Sequence, residues 1–178
     1  MKTVCVFVDT STVNRILDIN VERNGDLQYE KDRLYLSKIV EKYVKTGDVL
    51  VIVNPTVRQE IENTTDDQRK KRLVNLFCEF HFTSYNKTIF PFHFPATFVT
   101  EQEKETLIAL VQDIPSFKKD EKVFADVAFN SQVEVLLTTD REHLANDRFR
   151  DSIRRRGLDK KIRVFTPEQL FRYLQEID

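Results

Sequence analysis

Four acidic residues of this chain occupy positions from which they could together bind a metal ion. Clustered carboxylates repel one another, and coordination of a hard divalent cation offsets that repulsion. Oxygen ligands without a His or Cys pattern suit Mg²⁺ or Mn²⁺ better than zinc or iron. A cation held there would acidify water, orient a phosphodiester and stabilise the leaving oxygen, so phosphodiester hydrolysis is the expected chemistry. The four acids are Asp9, Glu60, Asp126 and Asp140.

The elements that must position these acids form an α/β pattern. Helical patterns separate short apolar runs, and this alternation indicates an α/β fold with a mainly parallel sheet of four or five strands. Ligands of such sheets collect beyond the carboxyl ends of the strands. The four acids can meet there if the first strand lies between the second run and the run at 133–137. The apolar runs are Thr3 to Val8, Val49 to Val53, Val133 to Leu137 and Ile162 to Phe165.

Helix starts are marked by capping-box pairs and by proline. Pro55 and Pro167 suit a first helical turn, and Asp126 lies in a predicted helix, Asp120 to Gln132. An apolar stripe before the second strand includes Leu34, Ile39 and Tyr43, and a stripe after it includes Leu73, Leu76, Phe77 and Phe80. The predicted capping boxes are Thr65 with Gln68, Thr100 with Glu103, Thr139 with Glu142, and Thr166 with Gln169.

Two segments interrupt the alternation. Residues 18–30 contain Asn24-Gly25-Asp26 and are interpreted as a loop or small hairpin. Residues from about 81 to 99 form an aromatic-rich connection that could add a short third strand. Exposed aromatic side chains there could stack on bases, although such residues more often pack against their own domain.

Length and composition indicate one domain spanning 1–178 that is soluble and cytoplasmic. The apolar run after the amino terminus is too short for a signal peptide, and no stretch suits a membrane span. Cys5 and Cys78 lack neighbouring ligand-type residues, so both are interpreted as buried free thiols.

Net charge gives no argument for a nucleic-acid partner, because 28 basic residues face 29 acidic ones. Local clusters are the alternative source of phosphate contacts, although a solvated helix face is the more common explanation of any single cluster. One cluster runs from Arg148 to Arg163 and another from Arg69 to Arg72.

Each acid also has a purely structural interpretation. Asp9 could cap a helix, Asp140 could occupy a first helical turn, and Glu60 could face solvent. Asp126 is harder to explain in this way, because its neighbours are largely apolar and a buried acid needs a partner. The joint placement of the four acids favours a functional site.

Four segments, in order along nearly the whole chain, resemble the motif regions of the PIN-domain ribonuclease family. They are Val-Phe-Val-Asp-Thr-Ser at 6–11, Pro-Thr-Val-Arg-Gln-Glu at 55–60, the segment from Lys122 to Ala128, and Leu-Leu-Thr-Thr-Asp at 136–140. The resemblance implies a three-layer α/β/α sandwich, a Mg²⁺ or Mn²⁺ centre, and endonucleolytic cleavage of single-stranded or structured RNA. It assigns metal binding to Asp9, Glu60, Asp126 and Asp140, with Thr10 and Thr138 as supporting polar groups.

Substrate and partner expectations follow from this resemblance and from the basic residues. Arg58 beside Glu60, and Arg154 with Arg155, are predicted to contact phosphates. A homodimer through exposed apolar helix faces and an inhibitor protein of the antitoxin kind are further partners to consider. The extra length at 18–30 and 81–118, compared with the compact toxin members of the family, argues against a toxin role. Asp113, Asp120, Glu121 and Asp147 are additional acids, of which Asp147 is interpreted as a surface residue.

Two other functions compete with a nuclease. A haloacid-dehalogenase-like phosphatase would use Asp9 as nucleophile, but that family's pattern has a second Asp two residues later, where this chain has Ser11. A catalytically silent PIN-like module would bind RNA or a protein without cleaving. The P-loop, the Gly-rich dinucleotide fingerprint and the Gly-x-Ser-x-Gly elbow are all absent from the sequence. His81, His93 and His143 are scattered and are interpreted as surface or packing residues.

Overall fold

The computed structural model describes residues 3–21, 25–52, 55–85, 135–155 and 163–178, without the side chains of 55, 56, 58, 59, 77–85 and 152. The strands are β1 (Val4–Val8), β2 (Val49–Ile52), β3 (Val135–Leu137) and β4 (Arg163–Phe165). The helices are α1 (Thr10–Leu17), α2 (Leu27–Ile39), α3 (Pro55–Glu62), α4 (Asp67–Tyr85), α5 (Asp147–Arg155) and α6 (Pro167–Ile177). A π-helical turn, Val40–Val44, continues α2.

The four described strands form one sheet in the order β2-β1-β3-β4, and every neighbouring pair is parallel. This confirms the α/β class and the central position of the first strand. Val8 is aligned with Leu137, so Asp9 and Thr138 both leave the sheet at its carboxyl edge. The topology therefore brings the segments after β1 and β3 side by side.

The core is built on the central strands. Val6, Phe7 and Leu136 are at most 1% exposed, as expected for strands covered on both faces. Helices supply the rest of the core through residues such as Leu73 and Phe149. Cys5 is only partly buried and is in no disulfide with a described residue, whereas the Cys78 side chain lies outside the described residues. In the described part of the chain, no helix combines the length and the apolarity that crossing a membrane requires.

The predicted loop at 18–30 is wrong at its second half, because α2 already begins at Leu27. The Asp26 carboxylate accepts a hydrogen bond from the Tyr29 amide at 2.8 Å and so starts the helix. Leu27 is 86% exposed, and the missing apolar periodicity at that end hid the helix from sequence analysis. Residues 22–24 lie outside the description, and no strand occurs in 18–21 or 25–30.

The stripe predicted before the second strand is partly wrong. Leu34 is 51% exposed, and the buried residues of α2 are Tyr29, Asp32, Leu36 and Ile39. The buried face therefore includes an acid, which a search for apolar residues passes over. After the second strand Leu73 is buried and Leu76 partly buried, as predicted, and the Phe77 and Phe80 side chains lie outside the described residues.

Two of the four predicted capping boxes are wrong, and one is confirmed. Helix α4 is capped by Asp66, whose carboxylate accepts from the Arg69 amide at 2.9 Å, rather than by Thr65. Residues 141–145 form turns, so no helix follows Thr139 directly. The Thr166 box is present, and Pro55 and Pro167 begin their helices as predicted. The box at Thr100 lies outside the described residues.

Candidate active site

Asp9 stands where β1 ends and α1 begins. Its Oδ1 accepts a hydrogen bond from the Thr12 amide at 2.8 Å, which makes Asp9 the N-cap of α1. Its Oδ2 accepts from the Ser11 hydroxyl at 2.8 Å and from the Thr138 hydroxyl at 2.5 Å. The carboxylate is thus fixed by an amide and two hydroxyls.

The Asp9 carboxylate is buried, and the described residues place no cationic side chain against it. The residue is 4% exposed, and among the described residues no Lys, Arg or His side chain pairs with it. Burial raises the pKa of the Asp9 carboxyl above its ordinary value, and the hydrogen bonds from Thr12, Thr138 and Ser11 only partly oppose that shift. A nearby cation would therefore stabilise the ionised form of Asp9, which burial destabilises.

Hydroxyl groups join the two edge segments. The Thr138 hydroxyl donates to Asp9 and accepts from the Asp140 amide at 3.0 Å. The Thr12 hydroxyl donates to the Leu137 carbonyl at 3.2 Å and accepts from the Thr139 amide at 3.1 Å. Since Thr12 and Thr138 are fully buried, these bonds hold the segments after β1 and β3 in one arrangement.

Asp140 lies three residues beyond Leu137, the last residue of β3, and its carboxylate is partly exposed. Its Oδ1 accepts from the amides of Glu142 at 2.9 Å and His143 at 3.0 Å. Its Oδ2 lies 2.9 Å from His143 Nδ1. Asp140 thus organises the turn that follows it and contacts an imidazole that sequence analysis regarded as a surface or packing group.

Glu60 approaches from α3. The side chain is exposed, and the Thr10 hydroxyl, in the first turn of α1, donates a hydrogen bond to Glu60 Oε2. Thr10 directly follows Asp9 in the chain. Glu60 therefore lies on the same side of the sheet edge as Asp9, and Thr10 and Thr138 each contact one of the predicted acids.

The remaining predicted site residues are Asp126, Arg58, Arg154 and Arg155. Asp126 and the Arg58 side chain lie outside the described residues. Arg154 and Arg155 are exposed at the carboxyl end of α5, roughly 10 Å along the helix from Asp147. Arg154 pairs with Asp151 at 3.7 Å, and Asp147 has a side chain 96% exposed, as expected of a surface acid.

Sequence analysis missed the polar contacts that surround the acids. Arg69 Nη2 donates to Asn14 Oδ1 at 2.7 Å and links α4 to α1, while Asn14 Nδ2 donates to the Thr10 carbonyl at 2.9 Å. Arg141 donates to both oxygens of the buried Asp32. The one detectable signal was Asp32 itself, an acid at the spacing of the buried face of α2.

The oxygen donors at this edge suit Mg²⁺ or Mn²⁺ chemically, because such ions are commonly bound by one or two carboxylates together with water. The hydrogen bond that Asp9 Oδ1 accepts from the Thr12 amide uses one of the acceptor positions of a carboxylate oxygen, which has two. Across the described ranges, however, no three Asp, Glu, His or Cys side chains converge as a metal-binding group. A site with three or more protein ligands would therefore require Asp126, or a movement of the Asp140 or Glu60 side chain toward Asp9.

No protein family, curated protein or solved structure matches this chain.

We expect Thr138→Val to lower the free energy of unfolding by about 1–3 kcal/mol in metal-free buffer. The substitution keeps the shape but removes the donor to Asp9 and the acceptor of the Asp140 amide, leaving buried polar groups unsatisfied. Thr138→Ser keeps the hydroxyl and is the matched control. Urea denaturation measures both, and a Val variant as stable as the Ser variant would show that these bonds contribute little.

Proposed function

We propose that this chain is a divalent-metal-dependent endoribonuclease of the PIN type that acts in the cytoplasm. The proposal includes the finer fold, a three-layer α/β/α sandwich, as well as Mg²⁺ or Mn²⁺ as the cofactor and RNA as the substrate. Asp9, Asp140, Glu60 and Asp126 are its proposed metal ligands. The resemblance of the four motif segments and the geometry around Asp9 support it.

The observation that carries the proposal is the buried Asp9 carboxylate at the carboxyl edge of the sheet, which no cationic side chain of the described residues contacts. A buried charge is costly unless a counter-charge or a metal offsets it. Amide and hydroxyl donors orient Asp9 but bring no full positive charge. A divalent cation would supply that charge and would explain why an acid is kept in a position where it resists ionisation.

In this proposal the residues of the chain have distinct roles. Ser11 and Thr138 fix Asp9 Oδ2, which leaves Asp9 Oδ1 as the better placed oxygen for a cation. Thr10 holds the Glu60 carboxylate toward the edge of the sheet. When bound, Mg²⁺ or Mn²⁺ would supply positive charge that acidifies water and offsets the charge developing on the phosphodiester.

The test is cleavage of a panel of labelled single-stranded and structured RNAs with Mg²⁺, with Mn²⁺ and with chelator. A parallel calorimetric titration with Mn²⁺ measures binding without depending on the choice of RNA. We expect cleavage that requires metal and is lost in Asp126→Asn. A folded protein that neither binds Mn²⁺ nor cleaves any RNA would overturn the proposal.

One feature favours the alternative, a catalytically silent PIN-like module that binds RNA or a protein. Asp140 Oδ1 accepts hydrogen bonds from two amides and Oδ2 contacts His143, so Asp140 already has a structural role as a turn-forming residue. A silent module would bind RNA equally well with metal and with chelator. Filter binding under both conditions separates the two functions, and a homodimer or an antitoxin-like inhibitor remains a prediction for either.

For the predicted phosphate contacts, we expect the double variant Arg154→Ala, Arg155→Ala to weaken RNA binding with little effect on cleavage at saturating RNA. Both side chains are exposed at one helix end, so they can meet a phosphate backbone away from the acids. Losing two such contacts should reduce the slope of log affinity against log salt by about 1.4 for a single strand. The control is Arg172→Ala, another exposed helical arginine, and an unchanged slope would remove Arg154 and Arg155 from the interface.

A further inference from the structure

An ion pair between the buried Asp32 and the partly exposed Arg141 anchors the segment that carries Asp140. Asp32, on α2, is 1% exposed, and its two carboxylate oxygens accept from Arg141 at 2.6 and 2.8 Å. Gln28 adds a weaker hydrogen bond at 3.3 Å. A bidentate pair of this kind fixes the direction of the guanidinium as well as its distance.

Arg141 is adjacent to Asp140 in the chain, and the pair therefore connects α2 to the proposed metal edge. Thr138 and Thr139 are already held by the Phe165 carbonyl and by Thr12, through hydrogen bonds of 2.9 and 3.1 Å. These bonds fix the two residues that precede Asp140. The ion pair of Arg141 fixes the residue that follows it.

We propose that Asp32 and Arg141 are positioning residues, which act through the turn at 140–143 to hold the Asp140 carboxylate in the orientation that a metal requires. The inference rests on the proposed function for its metal, but the pair's hold on the turn can be tested without one. Residues that orient a metal ligand commonly change metal affinity by about tenfold or more when they are replaced. A tenfold or larger rise in the Mn²⁺ dissociation constant is the expected effect here.

Two single variants separate positioning from simple charge. Asp32→Asn removes a negative charge and Arg141→Gln removes a positive charge, so a purely electrostatic influence would change Mn²⁺ affinity in opposite directions. Positioning weakens binding in both. Arg141→Lys keeps the charge but loses the bidentate geometry, and we expect an intermediate affinity. The matched control is Arg33→Gln, which removes a positive charge from the same helix together with the ion pair to Glu30 and the hydrogen bond to the Ile19 carbonyl.

The metal-free readout is hydrogen exchange of the Glu142 and His143 amides, which donate to Asp140 Oδ1. We expect both variants to speed exchange at these amides more than at the Phe7 amide in β1, and the control to leave them unchanged. Unchanged exchange, or opposite effects on Mn²⁺ affinity, would overturn the positioning role. Absence of Mn²⁺ binding in the wild type would overturn the proposed function and this role in metal binding, while exchange would still show whether the pair holds the turn.

Discussion

Replacement of Asp9 by Asn should lower metal-dependent RNA cleavage about a thousandfold or more, which corresponds to roughly 4 kcal/mol of lost stabilisation of the transition state. The expected cause is loss of the charge that binds the cation, because an Asn side chain keeps the size and one carbonyl oxygen. Asn also caps helices about as well as Asp, so α1 should remain intact. Single-turnover cleavage with Mn²⁺ measures the effect.

The control for that experiment is Asp147→Asn, the same chemical change at a side chain that is 96% exposed on α5. It should cleave at the wild-type rate. Circular dichroism of both variants verifies that the fold is retained. Near wild-type cleavage by Asp9→Asn would contradict the assignment of Asp9 as a metal ligand and would leave it as a helix cap.

The position of Asp9 could be predicted from sequence because it depends on a strong local pattern. A short apolar run followed by Asp and three hydroxyl residues indicates a buried strand that ends in a helix cap. The position of β1 between β2 and β3 then follows from the requirement that the acids meet, and the structure confirms that position. Parallel strands end at one edge, so the approach of Asp9 to Thr138 required no finer information.

The anchoring of the turn at Asp140 could not be predicted from sequence, because the ion pair that holds it joins residues distant in sequence. Asp32 and Arg141 are separated by 109 positions, and the sequence around neither residue indicates that they form an ion pair. The Thr139 and Glu142 pair matched a capping box, yet the chain there forms a turn, because Asp140 rather than Thr139 accepts the amides of residues 142 and 143. Sequence spacing alone does not determine which of two neighbouring polar side chains accepts the hydrogen bonds of the amides that follow.

The same Asp9→Asn variant should be more stable than the wild type at neutral pH when metal is removed. The folded-state pKa of Asp9 is raised above its ordinary value of 3.8 by burial, so the folded protein holds this proton more tightly than the unfolded chain does. As pH rises from about 4 through the folded-state pKa, the wild type loses stability. The loss is about 1.4 kcal/mol for each pH unit by which the folded-state pKa of Asp9 exceeds its unfolded-state pKa. Asn has no proton to lose and avoids that loss.

The stability difference between the two proteins should therefore grow with pH and reach a plateau once folded Asp9 is ionised. Urea denaturation in chelator at several pH values from 4 to 8 measures it, with Asp147→Asn, the same chemical change at a side chain that is 96% exposed, as the control. Mn²⁺ should raise the stability of the wild type alone, since a ligand that binds only the folded state stabilises it. A variant less stable than the wild type at pH 8 in chelator would mean that ionised Asp9 stabilises the fold by itself. The opposite result would identify Asp9 as a residue kept for function at the expense of stability, as expected of a carboxylate that needs a cation.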